Sequence, residues 1–255
     1  MYKRQLNVGK TVIRVNGTIT KPQELAAIDM RLYLAGASMA DLYPLTGITL
    51  PKTPEFSTEG HLIGVTDKRG GKWTYEKFKG KVGDSDIAGS LVYEAKQPRP
   101  LLSGTVVSNL LQLSDLGPVI GADSNESKKE RGVAANQPAN KVLPVEKFTT
   151  ERWGSIDADV KITGHKIVHS ASLPIENLDT HLKLEDSVVT LSPLKFGVAG
   201  GNLIGDIKLD GRNNVIKAQA KISARHLKLK QLFPTFQPMQ ASFGEVNGDT
   251  SLSGT

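Results

Sequence analysis

Along most of the chain, apolar and polar residues alternate one for one. Ile13, Val15 and Ile19 oppose Arg14, Asn16 and Thr18, and Ile28, Met30, Leu32 and Leu34 face away from Asp29, Arg31 and Tyr33. Phe56, Thr58, Gly60 and Leu62 continue the pattern, and Trp73, Tyr75 and Lys77 begin the return strand. Beyond residue 150 the alternation resumes in Ile156, Ala158, Val160 and Ile162, then in Leu178, Thr180, Leu182 and Leu184. Asp186-Ser187 turns the chain into Val188 to Leu191. A period of two predicts antiparallel strands buried on one face. The expected fold is mainly β: more than ten antiparallel strands in an elongated, curled sheet with a few short capping helices.

One stretch, Leu194 to Pro234, states the theme in full. A glycine-broken strand, Phe196 to Gly201, precedes a strand whose Leu203, Gly205, Ile207 and Leu209 alternate with polar residues. Asp210-Gly211 and Asn213-Asn214 supply turn chemistry, since Gly and Asn tolerate positive φ. Ile216, Ala218, Ala220 and Ile222 form the next strand, and His226 to Pro234 predicts a cap stopped by proline. Shifted by 116 positions without a gap, Phe78 to Pro118 falls on this stretch. Ile87 meets Leu203, Gly89 meets Gly205, Leu91 meets Ile207, Val106 meets Ile222 and Pro118 meets Pro234. Such self-similarity marks a repeated supersecondary unit. A short helix at Ala37 to Leu45 reads as a further copy of the cap.

Residues 121–138, GADSNESKKERGVAANQP, lack large apolar side chains and read as a loop or linker. The organisation expected is a first β-repeat region over 1–121, a flexible loop over 122–150 and a second β-repeat region over 151–255, within one continuous sheet. Pro174 and Pro193 are expected at strand edges.

The 255 residues suffice for a substantial core, and 25 glycines with 5% aromatics suit strands and turns. With no cysteine, disulfides, thiolate metal sites and thiol nucleophiles are excluded. No run approaches the roughly 20 apolar residues of a membrane-spanning helix, and no apolar stretch follows Met1-Tyr2-Lys3-Arg4 to make a signal peptide. Gly248 to Thr255 stops within a strand pattern, so a segment of a longer protein is expected. The net charge of +6 reads as a solvated basic face or an attraction to anionic headgroups or nucleic acid. Lys77, Lys79 and Lys81 alternate, yet only Trp73 and Tyr75 are near enough to stack bases, so nucleic acid is not expected.

No catalytic, cofactor or metal motif emerges. His165 and His169 lie in a strand-like segment, where four residues separate them by about 13 Å, too far to share a metal. Gly9-Lys10-Thr11 matches the end of a phosphate loop without its leading glycine. Asp84 with Asp86, and Asp157 with Asp159, read as polar-face pairs with nothing arranged to split their pKa values. A non-enzymatic protein without cofactor is expected.

The strings KVGDSDIAGSLVYE and RPLLSGTVVSNLLQLSDLGPVIGA, and IDADVKITGHKIV through LPIENLDTHLKLEDSVVTLSPLKFGVAGGNLIGDIKLDGR, resemble the AsmA family. The likeness covers nearly all of 10–255 outside the 122–140 loop. The resemblance implies a periplasmic protein anchored in the inner membrane by an N-terminal helix that this stretch lacks. It implies a trough-shaped sheet carrying phospholipid or another envelope lipid toward the outer membrane, with envelope proteins as further partners. The residues expected to face lipid are Ile13, Val15, Met30, Leu32, Leu62, Ile87, Leu91 and Val106 in the first region. In the second they are Val160, Ile162, Leu182, Leu184, Leu203, Ile207, Leu209 and Ile222. The residues alone fit equally the dry core of a closed β-sandwich, a scaffold that regulates outer-membrane biogenesis.

Overall fold

The structure is a computed structural model that describes residues 2–8, 11–20, 27–48, 50, 53–67, 70–112, 115, 153–168, 175–213, 215–233 and 237–254. Its strands in the first region are β1 (Tyr2–Val8), β2 (Thr11–Thr20), β3 (Ala27–Gly36), β4 (Phe56–Asp67), β5 (Gly70–Val82), β6 (Ser85–Glu94) and β7 (Leu101–Gln112). Those in the second are β8 (Asp157–Val168), β9 (Ile175–Glu185), β10 (Val188–Val198), β11 (Gly201–Asp210), β12 (Lys217–Lys228) and β13 (Glu245–Gly254). All thirteen join one sheet in chain order, and β1 and β13 are its unpaired edges. The loop expected over 122–150 lies outside the described residues, as do Leu113, Leu116, Pro118, His169 and Pro174.

Every neighbouring pair is antiparallel except β7 and β8, which run parallel from Leu101↔Asp157 to Gln112↔Val168. That pair departs from the all-antiparallel expectation. Period-two alternation reports burial on one face and carries no strand direction. The 1–20 stretch also divides into two strands, because Val8 and Thr11 close a hairpin.

Bulges interrupt the alternation. Between Tyr75 and Phe78 the register of β5 on β6 slips, and Lys77 there takes φ 50°. Trp73 and Tyr75 therefore share a face with Phe78, Gly80 and Val82, while Lys79 and Lys81 lie opposite. In β10 the slip falls between Leu191 and Leu194, so Pro193 sits inside a central strand at a bulge, where its missing N–H breaks no ladder bond. In β12 the slip falls between Ala224 and Leu227, with His226 at φ 56°. Each bulge adds one residue and returns the apolar side chains to their original face.

The 116-residue shift holds in space. It carries β6 onto β11 and β7 onto β12 end to end, and the last residue of β5, Val82, onto that of β10, Val198. It also carries the Glu76-Lys77 bulge onto Ser192-Pro193. Buried Ser85 falls on buried Gly201, and buried Leu111 on buried Leu227.

Most of the described short helices gather at the rim where β3, β5, β7, β8, β10 and β12 finish, while a 3-10 turn (Trp153–Ser155) stands at the opposite rim before β8. After β3, a 3-10 turn (Met39–Leu42) leads into α1 (Tyr43–Thr46), with Ser38 accepting a hydrogen bond from the Ala40 amide. Leu42 packs there on Phe56 and Val82, with Leu34, Met39, Leu50 and Ile87 around them. The cap expected from His226 is shorter than the sequence implies, because β12 runs to Lys228 and α2 covers only Leu229–Leu232. Leu232 nonetheless joins Val198, Ala199 and Leu227 in a second cluster. A last helix, α3 (Gln237–Gln240), precedes β13.

Two carboxylates brace this rim. Asp115 accepts the amides of Asp84 and Ser85 at 3.0 and 2.9 Å and the Ser85 hydroxyl at 2.7 Å. Asp86 accepts the Leu110 and Asn109 amides, the Asn109 side chain and the Ser108 hydroxyl. Burial pushes the Asp86 carboxyl up, and those donors outweigh it, holding the group below its usual value.

Candidate functional site: an open apolar face

Residues paired across neighbouring strands project to the same side of the sheet, so the register can be followed from strand to strand. One row runs Gly17, Met30, Leu62, Tyr75, Leu91 and Gly104 through β2 to β7. It continues as Val160, Leu182, Leu191, Ile207, Ala220 and Leu252 through β8 to β13. A second row runs beside it: Ile19, Ile28, Gly64, Trp73, Tyr93 and Leu102, then Ala158, Leu184, Val189, Leu209, Ala218 and Gly254. Neither row contains a charged residue. Together they pave twelve strands, about 50 Å at about 4.8 Å per strand.

All sixteen residues singled out from the sequence lie on this face. Val15 and Leu32 pair beside the first row, as do Val106 with Ile162 and Gly205 with Ile222, and Ile13 pairs with Leu34 further out. Ile87 opposes Gly80, and Leu203 opposes Phe196. Met30 and Val160 are buried, at 7% and 8% exposure. The other fourteen are half-buried, and none is exposed. A sandwich core would bury such residues completely against a second layer. Here, among the described residues, all thirteen strands belong to one sheet, and fourteen of these sixteen side chains keep partial exposure.

Glycines on this face stand tight against the neighbouring strand. At Gly17, Gly80, Gly89, Gly104 and Gly205, all on the apolar face, an added Cβ would lie 2.0 to 2.3 Å from a carbonyl oxygen of the adjacent strand. A side chain would not fit at these positions, and glycine kinks with bulges are the devices that curve a sheet. Gly89 and Gly104 have φ of 155° and 141°, which side chains rarely adopt.

From β2 onward, the opposite face carries the charged pairs. Lys161 pairs with Asp179 at 3.3 Å and Lys72 with Glu94 at 2.8 Å. His61 places Nε2 at 2.7 Å from Asp29 and Nδ1 at 3.0 Å from Glu76. Hydrogen bonding to Asp29 first, and then to Glu76, raises its pKa above 6.5.

The carboxylates noted from the sequence do not converge on a shared centre. Asp84 lies in the turn before β6 and Asp86 grips β7, while Asp157 pairs with Arg99 at 2.8 Å and Asp159 with His181 at 2.5 Å. Among the described residues, no three His, Asp or Glu side chains are placed to hold a metal, and no helix is long and apolar enough to cross a membrane.

An aromatic group on the apolar face was not foreseen from the alternation. Trp73 and Tyr93 meet at 5.7 Å between ring centroids, and Tyr75 stacks on Phe78 at 5.3 Å and 7°. The Tyr75 hydroxyl donates toward Thr58 Oγ1 at 3.2 Å. Burial pushes that phenol up to about 12 and raises Tyr93 as well. The bulge hid the group, because a strict count of two puts Tyr75 and Phe78 on opposite faces.

Comparison with known proteins identifies the family. The AsmA family model matches residues 4–255. The chain is 44% identical over 255 residues to the AsmA family protein YhjG of Escherichia coli (strain K12), a match covering 97% of this chain and 37% of that relative. It thus spans little more than a third of the length of the curated relative. No solved structure matches it. With the family match over almost its whole length and the relative beside it, the chain belongs to the AsmA family.

Proposed function

We propose that this chain is a non-enzymatic, lipid-conducting section of an envelope protein, and that its apolar face carries the acyl chains of phospholipid. The carrying observation is the pair of charge-free rows crossing β2 to β13. A peptide laid on them would lose water from its amides and find no partner, because the sheet's own backbone groups are already paired. A hydrocarbon chain has no such groups, and each methylene removed from water contributes about 0.8 kcal/mol. Family membership adds support for envelope-related lipid transport. On this reading the chain works in the periplasm, supports outer-membrane assembly, and is tied to the inner membrane by a helix outside these residues. The closed-core scaffold has less support, since the described residues leave the face open.

Native mass spectrometry with lipid extraction on the purified protein tests the reading, beside the variant Ile207→Asp. Phospholipid should accompany the wild type and be lost from the variant while circular dichroism stays unchanged. A lipid-free wild type with a variant that unfolds would make Ile207 a core residue and give the scaffold the lead.

A further inference from the structure

We propose that Trp73, Tyr75 and Tyr93 form an acyl-chain contact station within the groove, supported from beneath by Phe78. The inference rests on the lipid-conducting reading and names the residues that hold the chain over β4 to β6.

The first argument is shape. The Trp73 ring lies over Gly64 and Gly71, where an added Cβ would come within 2.4 and 2.1 Å of it. The Tyr75 ring meets the same position at Gly60 through Cε2, at 2.7 Å, beside the Cβ of Phe78. Glycines opposite and beside the rings leave the room that lets them settle close to the backbone. Phe78 is 4% exposed beneath Tyr75, while Trp73, Tyr75 and Tyr93 remain half-buried and accessible. Flat aromatic side chains with two rotatable bonds give contact area at small entropic cost.

The second argument comes from the internal repeat. The 116-residue shift puts Val189, Leu191, Leu194 and Leu209 at the places of Trp73, Tyr75, Phe78 and Tyr93. In that half, Leu184 opposes Val189 where Gly64 opposes Trp73, and Thr180 opposes Leu194 where Gly60 lies under Phe78. The same strands, bulge and register thus form with aliphatic side chains alone. The fold does not require the rings, and their clustering on the open face of one half is a property of the surface. With no charged residue in these rows, an uncharged apolar chain is the occupant they suit.

The protein holds two tryptophans, Trp73 and Trp153, so Trp153→Phe leaves Trp73 as a single reporter inside the groove. This variant is loaded with phosphatidylcholine brominated on one acyl chain, and lipid is counted by mass spectrometry alongside fluorescence. Bromine in contact should cut Trp73 emission by half or more relative to the unbrominated lipid. The exchange Trp73→Val, Tyr75→Leu, Phe78→Leu and Tyr93→Leu, built from the other half's residues, should retain lipid about tenfold less well, equivalent to about 1.4 kcal/mol. Lipid bound with Trp73 unquenched would overturn the station and leave the lipid-conducting reading standing. A folded exchange variant that keeps wild-type lipid would also overturn it. If neither form carries lipid, both proposals fall. The quenching readout needs no ring substitution, so it decides the matter even where the exchange variant does not fold.

Discussion

At the scale of single residues, three positions are tightly constrained by their neighbours. Gly104 combines φ of 141° with a carbonyl 2.2 Å from where a Cβ would stand, so both backbone and space refuse a side chain. Gly104→Ala is expected to destabilise the protein by more than about 1 kcal/mol. Gly248→Ala, where nothing lies within 4 Å, should be neutral, with urea denaturation giving both values. Asp115 satisfies two amides and a hydroxyl beside Ser85, itself only 1% exposed. Asp115→Ala should cost about 1–3 kcal/mol, the usual penalty for stranding buried donors. His61 touches a carboxylate through each ring nitrogen, and a neutral imidazole has only one N–H to give. Its folded pKa lies above the ordinary 6.5, so the stability it adds is fully present below that value and is lost as pH rises through the raised one. The side chain is 39% exposed, so solvent screening keeps the gain below about 1 kcal/mol. The His61 ring should titrate above 6.5 by NMR, and His61→Gln should remove that part of the pH dependence. A titration at or below 6.5 would contradict the geometry.

At the scale of elements, the alternation of Ile13 with Arg14 or Ile207 with Lys208 made strands and faces readable, and residue spacing exposed the repeat. Bulges were not readable. Glu76-Lys77 and Ser192-Pro193 each insert one residue, and no local composition distinguishes that from ordinary alternation. Lys77 therefore read as a member of the Lys79 and Lys81 row, and Phe78 as its opposite. The parallel β7–β8 pairing was equally hidden, since strand direction leaves no mark on a period of two. Because a one-residue slip turns every later side chain over, deleting Lys77 should send Phe78 and Val82 to the polar face. The expected loss is about 3 kcal/mol or more, as for removing a buried aromatic. Deleting Asn213 from the exposed β11–β12 connection should cost far less. Comparable midpoints for the two deletions would show that the bulge does not set the face.

At the scale of the whole molecule, the open face fits the small number of apolar side chains fully buried among the described residues. Its deepest clusters sit under the rim caps, at Leu42, Phe56 and Val82 and at Val198, Ala199 and Leu227. The choice between groove and closed core could not be read from the sequence, because alternating strands have the same pattern whether or not a second layer covers them. The chain-order sheet has a further consequence. Where each strand leans only on the one before and the one after, stability approaches a sum of nearest-neighbour steps, as in a one-dimensional array. Cooperativity then has a finite reach, opening starts at an end, and an added hairpin lengthens the apolar face without widening it.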